Sequence, residues 1–458
     1  MAQDAPTGYR AEHRRVPISE RPAAASRDHR VSSHCANSEE TTMSVTETAP
    51  SVDPHRPTGG VDWAKDDHAV CVLAPDGEQL QRFSVTHDRT GLRTMVGRLS
   101  KAGVVEVGIE RPDGPVVDAL RQAGLVVFVI PPGQLKNLRS RYGSAGNKDD
   151  RFDAYVLADT VRTDRRRLRP LLVDTPTTTA LRQSVRARRD LVAHRVAVAN
   201  QLRAHLQICL PAVIGLFSDI DSQISLRFLE RFTTQTQIDW LTPRRLASWL
   251  ASVGYCGRMD PTVLHTRLTS APRGHTGPEA DTAAAVTAAY VTVLRTLTTQ
   301  IAELAARISE QLDLHPDAQI FTSLPRAGRV RAARMLAEIG DARGRFPTPD
   351  SLACLAGVAP STRQSGKARA VSFRWGADKQ LRDAICDFAG DSIKTNPWAA
   401  DLYQRARTRG HDHPHAVRVL ARAWIGVIWA CWHSHTPYDP DRHHALQRVL
   451  NQDQPAAA

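Results

Sequence analysis

Four acidic side chains stand at places in this sequence where a charge must be explained. Asp62 interrupts the apolar run GGVDWA, and Glu110 ends the run VVEVGIE. Asp150 and Asp153 open a segment with helical periodicity, KDDRFDAYVLADTVRTD. A carboxylate inside an apolar strand is costly unless it is paired or binds a cation. Strand alternation sets Gly60, Asp62 and Ala64 on one face, and Glu106, Gly108 and Glu110 on one face of the second strand. A spacing of three puts Asp150 and Asp153 on one side of a helix. Oxygen donors of this kind suit Mg²⁺ or Mn²⁺. Two such ions about 4 Å apart can stabilise both the attacking and the leaving oxygen of a phosphodiester displacement. Each residue alone also has a structural explanation: a strand-end polar group, an ion pair of Glu110 with Arg111, or a helix N-cap at Asp150. Asp149 stands four residues before Asp153, so spacing leaves Asp149 and Asp150 tied; Asp113, Asp159 and Glu106 are lesser rivals.

The elements that would position these groups follow from pattern. GGVDWA, HAVCVLAP and LQRFSVT read as three strands, with a short turn at Pro75, Asp76 and Gly77 joining the second to the third. RTGLRTMVGRLSKAG then reads as a helix, VVEVGIE as a strand, DGPVVDALRQAG as a helix and LVVFVIPP as a strand, the sequence of a mixed sheet of the ribonuclease H type. A loop is expected from Pro131 to Lys148, followed by the helix that carries the aspartates. Residues 56–170 are thus expected to form an α/β catalytic domain. Residues 171–318 read as a long helical, coiled-coil segment with an inserted stretch, since apolar positions recur three and four apart from about 173 to 214 and a second long helix runs from Ala283 to about Leu312, a plain helical spacer or a dimerisation coiled coil. Residues 319–446 read as a helical C-terminal domain. Residues 1–55 and 447–458 read as disordered, and Met43 as a candidate translational start.

Composition narrows the setting. The 458 residues carry a formal net charge of +12, which favours a polyanionic partner such as nucleic acid. No apolar run is long enough to span a membrane, and no signal peptide is evident. The seven cysteines include no C-x-x-C pair, which fits reduced thiols in the cytoplasm. Lys136, Arg139, Arg141 and Lys148 are candidate backbone contacts for nucleic acid, as is the run Arg162 and Arg165–Arg167. Ser365 lies among Arg363, Lys367, Arg369, Arg374 and Lys379, a setting that can neutralise phosphates, with Ser361 and Thr362 as alternative hydroxyls. No G-x-S-x-G elbow marks a serine hydrolase. His411, His413, His415, His433 and His435 lie near Cys431, but their spacing matches no closed zinc site; Trp424, Trp429 and Trp432 fall in an apolar helix and read as core.

From about 58 to 446 the sequence resembles the DEDD recombinases of insertion sequences, the group related to the Piv DNA invertase and numbered one hundred and ten among such families. The motifs are GVDWAK with Asp62, GIERPDG with Glu110, KDDRFDA with Asp150 and Asp153, then LAEIGD (336–341), RF (345–346), LAGVAP (355–360) and QSG (364–366). The family's K-x-D-x-x-D-A pattern selects Asp150 over Asp149. The resemblance implies a RuvC-like N-terminal domain, a coiled-coil segment and a separate transposase domain. It implies metal-bound carboxylates at Asp62, Glu110, Asp150 and Asp153, and Ser365 as a nucleophile that forms a 5′-phosphoserine intermediate. It also implies donor and target DNA, a structured bridge RNA, a dimeric or tetrameric assembly, and action at the nucleoid. Two departures stand out: PRAG (325–328) replaces the family's PGIG turn, which resembles a helix-hairpin-helix and makes Arg326 a candidate phosphate contact, and ERPDG replaces EATG after Glu110. Competing readings are a RuvC-like endonuclease without a covalent step, an actin-like kinase or ATPase, and an inactive nucleic-acid scaffold. Trp63-Ala64-Lys65 in place of a Gly/Thr phosphate loop argues against the kinase.

Overall fold

The computed structural model describes residues 55–143, 149–366 and 368–452. The N-terminal stretch to 54, Met43 included, lies outside the described residues, as do Lys148 and Lys367. The first unit is a mixed α/β layer structure. Strands β1 (Thr58–Trp63), β2 (Asp67–Leu73) and β3 (Gln79–Thr86) run antiparallel, helix α1 (Arg89–Lys101) follows, and β4 (Glu106–Ile109), α2 (Pro115–Gln122) and β5 (Val126–Val129) complete a five-stranded sheet of order β3-β2-β1-β4-β5. β1 is central, antiparallel to β2 and parallel to β4. Val61, Val70, Val107 and Ile109 turn to one face and pack with Met95, Leu99, Val116 and Leu120 of α1 and α2.

The other face receives α4 (Asp150–Asp164), which follows α3 (Pro132–Arg139). Two glycines decide how close α4 comes. Gly60 and Gly108 are register partners on β1 and β4. A Cβ on Gly60 would stand 2.1 Å from the Ala154 carbonyl oxygen, and one on Gly108 2.7 Å from that of Leu157. Only the missing side chains let the helix lie on the sheet, with Ala154 and Ala158 against Ala69 and Cys71. Helix α3 corrects the expected loop from Pro131. Its sequence PGQLKNLR buries only Leu135, too little for a visible period, but Pro at the first turn starts it.

Beyond the sheet, α5 (Pro176–Cys209) leads into a small module of α6 (Gln223–Arg231), α7 (Gln235–Asp239), α8 (Pro243–Ser252) and α9 (Pro261–Ser270), and α10 (Pro278–Asp313) returns along α5. Leu202 and Leu206 of α5 share the module's core with Val291 and Leu294 of α10. At the opposite end Leu181, Val185, Ile308 and Leu312 join a second core. That core belongs to α11 (Ala318–Thr322), α12 (Gly328–Ile339), α13 (Pro349–Leu355), α14 (Lys379–Ser392), α15 (Pro397–Thr408), α16 (His413–His433) and α17 (His444–Gln452), and is centred on Trp424, Trp432, Phe388 and Phe321. Trp424 and Trp432 are fully buried, and Trp429 is half-buried with its indole N–H donated to the Phe346 carbonyl.

Two expectations for this part need correction. The C-terminal body is not helical throughout, because β6 (Ser361–Ser365) and β7 (Ala368–Ser372) form an antiparallel hairpin. Its strands are polar and exposed, so no apolar alternation announces them. In addition, α17 continues to Gln452, into the stretch from 447 read as a disordered tail. Among the described residues no helix is long and apolar enough to cross a membrane.

Candidate metal centre

The C-terminal end of β1 and the first turn of α4 meet. Oxygen atoms of Asp62, Asp150 and Asp153 lie within 4.8 Å of one another, with Asp62 and Asp153 buried and Asp150 exposed. The register explains the meeting: Gly60 admits α4, and Asp62, two residues on, faces the same way. The tie between Asp149 and Asp150 has a local resolution. Asp149 is the N-cap of α4, its side chain accepting the Arg151 backbone N–H at 3.2 Å. Asp150 is thereby released to the cluster.

Glu110 follows the last residue of β4, beside β1, and is half-buried. It lies outside the three-carboxylate cluster. It does share a cation with it: Arg139 bonds Asp153 through Nε at 2.5 Å and Nη2 at 2.6 Å, and the negative charges of Asp153, Glu110 and Asp62 all hold its guanidinium above the ordinary arginine range. Arg139 was expected on a loop as a contact for nucleic acid. It instead ends α3 and turns inward onto the acidic centre. No residue pattern announces this contact, because it depends on a helix with one buried residue.

The fit of the centre to a divalent cation is supported by its donor chemistry. Three carboxylates converge where burial disfavours negative charge, and the Arg139 guanidinium bound to Asp153 offsets only part of that charge. Such a set suits a hard cation with oxygen ligands. The rival carboxylates are accounted for elsewhere. Asp159 binds Arg162 and Tyr142, Asp113 pairs with Arg111 at 3.5 Å, and Glu106 is buried against Arg165, burial pushing its carboxyl upward. Arg111 therefore pairs with Asp113 and not with Glu110, and its guanidinium lies 4.4 Å from the centre of the Trp63 ring. Behind Trp63, the buried His68 meets His87 at 2.8 Å and fixes the end of β1.

Ser365 stands on another element. It ends β6 opposite Ala368 and is exposed, and Gly366 turns the chain at φ +55° as a tight primed hairpin requires. The pleat divides its basic neighbours. Arg363 is two residues from Ser365 and shares its face, whereas Arg369 is paired with Gln364 and faces the other way. Arg374 holds the base of the hairpin, donating to the Ala359 and Pro360 carbonyls at 3.1 and 3.2 Å.

Among the other candidate contacts, Lys136 is exposed on α3, and Arg141 is tied to Asp164 at 2.9 Å. Arg326 adopts φ +57°, a left-handed conformation at a position where the resembling family carries glycine. Its Nε bonds Asp391 at 2.9 Å, and Lys394 and Arg326 together hold that carboxyl well below the usual range. The histidines lie apart from the acidic centre: His411 packs on His415, His413 bonds Tyr403, His433 lies against Trp429, and His435 approaches Asp317.

Comparison with known proteins places this arrangement. A family model of DEDD transposases matches residues 59–211, which span β1 to the end of α5, and a model for transposases of the IS116/IS110/IS902 family matches residues 318–404. A mini-circle putative transposase for IS117 from Streptomyces coelicolor is 31% identical over 399 residues, 84% of this chain and 95% of the relative. An uncharacterized 42 kDa protein of insertion element IS900 from Mycobacterium paratuberculosis is 30% identical over 389 residues, 83% of this chain and 96% of its own. A putative transposase from Sinorhizobium fredii, y4uE, is 38% identical over 170 residues, 36% of this chain and 47% of its own. With its N-terminal α/β segment and its C-terminal segment both matched, the chain belongs to the IS110 family of insertion-sequence transposases.

Proposed function

We propose that this chain is a DNA recombinase that moves an insertion sequence by metal-dependent strand cleavage and rejoining. The observation that carries the reading is the convergence of Asp62, Asp150 and Asp153 at the junction of β1 and α4. In this reading residues 56–170 are a RuvC-like domain, α5 and α10 are the family's coiled coil, and residues 319–446 are the transposase domain bearing Ser365. Asp62 and Asp153 are rigid ligands fixed by burial, Asp150 is the solvent-side ligand, and Glu110 completes the set.

Mg²⁺ or Mn²⁺ held there would polarise the scissile phosphate and ease deprotonation of the attacking hydroxyl. Ser365 supplies that hydroxyl. Its Oγ forms a bond to phosphorus as the P–O3′ bond breaks; its proton ends on the departing O3′, leaving a 5′-phosphoserine. Rejoining reverses the sequence with another 3′-hydroxyl as attacker. Because Ser365 is exposed at a hairpin tip and is not part of the acidic cluster, the reaction needs the hairpin of this chain or of a second copy to meet the carboxylates. A homo-oligomer serves this, and a structured bridge RNA pairing with donor and target DNA, as in the resembling family, would choose the sites in the cytoplasm.

Ser365→Ala should abolish the covalent protein–DNA adduct and strand exchange while leaving Mn²⁺ binding intact. Asp62→Asn should remove both Mn²⁺ binding and cleavage, the latter by at least roughly 10²-fold. Adduct formation by Ser365→Ala would overturn the serine assignment. Undiminished cleavage without any adduct would favour a plain metal-dependent endonuclease.

A further inference from the structure

The module between α5 and α10 falls in residues 212–317, which neither family model covers. It has its own core, separate from that of the sheet. One face of it carries chemistry that packing does not explain. Trp240, at the end of α7, is 53% exposed. The Arg245 guanidinium lies 4.1 Å from the centre of its ring and is held there by a 2.8 Å bond from Nη1 to the Trp240 carbonyl. Arg231 and Arg244 line the same cleft, of about 580 Å³, with Thr242, Ser248 and Trp249.

No carboxylate lines this cleft, and among the described residues Arg231, Arg244 and Arg245 have no carboxylate partner. The nearby acids are committed elsewhere, Glu230 to Arg295 and Asp239 to Arg273. A half-exposed indole with a guanidinium against it, beside two further arginines without carboxylate partners, is a surface that packing within the module does not require. Aromatic faces bind unstacked bases, and flanking arginines neutralise the phosphates between them. A duplex keeps its base faces stacked and hidden, so an exposed aromatic ring beside a cleft lined by arginines favours a single strand.

We propose that this face binds an unpaired stretch of the DNA that the enzyme processes, with one base stacked on Trp240 and the adjoining phosphates on Arg231, Arg244 and Arg245. The proposal rests on the reading of the chain as a DNA recombinase, whose strand exchange exposes such stretches. It adds a binding platform distant in sequence from the carboxylates and from Ser365.

The test uses the full chain and a fluorescein-labelled oligodeoxythymidylate, followed by anisotropy. Trp240→Ala should weaken binding roughly ten-fold, with Trp240→Tyr restoring most of it. Arg244→Ala with Arg245→Ala should lower the slope of log affinity on log salt by roughly 1.4, two single-strand phosphate contacts. An oligomer carrying iododeoxyuridine should photocrosslink to the peptide that contains Trp240. Unchanged affinity in Trp240→Ala together with a crosslink elsewhere would overturn the proposal. Loss confined to an oligoribonucleotide, with DNA binding intact, would overturn the assignment to DNA. Loss of oligodeoxythymidylate binding in Trp240→Ala by a chain that nevertheless cuts no DNA with any divalent metal would sustain the platform and overturn the recombinase reading.

Discussion

The two candidate halves of the catalytic machinery are built on opposite plans. The carboxylates sit where a central strand and a close-packed helix hold them, two of the three buried and one gripped by a bidentate guanidinium. The serine stands on a two-stranded hairpin whose residues are nearly all in solvent. A centre that must concentrate negative charge needs a scaffold, since carboxylates gathered without one would move apart or take up protons. A nucleophile that must become covalently attached to a strand and then release it gains from exposure. The difference teaches that three carboxylates are brought together within one domain, whereas the serine half, in the proposed reading, would become a site only when something closes over it.

The largest expected effect breaks the buried half. Gly60→Ala places a methyl carbon 2.1 Å from the Ala154 carbonyl oxygen and 2.4 Å from the Ala158 nitrogen, so α4 must move or the sheet must bend. A loss of roughly 3 kcal/mol is expected, read as a lowered midpoint of thermal unfolding, with Mn²⁺ binding lost even in the folded fraction because Asp150 and Asp153 travel with α4. Gly97→Ala on α1 is the control. Its Cβ meets nothing within 4 Å, and the exchange should be neutral or stabilising by up to about 1 kcal/mol. If both variants behaved alike, close approach of α4 would not be what assembles the centre.

Arg139 sharpens the same half. Its guanidinium is bound to Asp153, so in the proposed reading it should compete with a divalent cation while stabilising the metal-free fold. Arg139→Ala leaves Asp153, 1% exposed, without its cation. Breaking a buried pair costs about 3–5 kcal/mol, and the partial exposure of Arg139 places the expected loss at or below the lower end. Added Mn²⁺ should then restore more stability to the variant than to the parent, and calorimetry should show tighter binding, by roughly ten-fold for one charge removed at close range. Weaker Mn²⁺ binding in the variant would make Arg139 a support for the ligands and not a competitor.

How much of this could be read from residues alone follows the same division. Asp62 was conspicuous because alternation in a strongly apolar strand exposes a carboxylate, and it meets Asp150 and Asp153; Glu110, read in the same way, follows β4 and stays outside that cluster, while Gly60 and Gly108 lie on the faces that α4 covers. The choice of Asp150 over Asp149 was not legible from spacing. It needed the family pattern, and its physical cause, an N-cap, appears only with backbone geometry. Arg139 was misplaced because α3 has a single buried side chain and so leaves no period to detect. The hairpin of Ser365 escaped for a related reason: a strand pair with no buried face has no apolar alternation, and its basic residues read as a loop. Long helices α5 and α10 were evident, whereas the Trp240 face between them was not, since its arginines and tryptophan come from three different helices and their ends.

The hairpin nonetheless has a direction, and this gives the subtlest contrast. Arg363 shares a face with Ser365, while Arg369 points away with Gln364. A phosphate approaching the serine hydroxyl meets Arg363 and not Arg369. Arg363→Ala should therefore lower the rate of adduct formation by roughly ten-fold, as for loss of one charge-assisted contact to a phosphate, while Arg369→Ala should change it by less than about two-fold. Neither residue is packed, so neither change should move the unfolding midpoint. Raising the salt concentration separates local from general attraction: the two variants should lose similar amounts of overall DNA affinity, since each removes one charge from the hairpin, and only Arg363→Ala should slow chemistry at saturating DNA. Equal slowing by both would mean that the hairpin acts as a featureless basic patch, and that the orientation of Ser365 is set after docking by whatever closes over it.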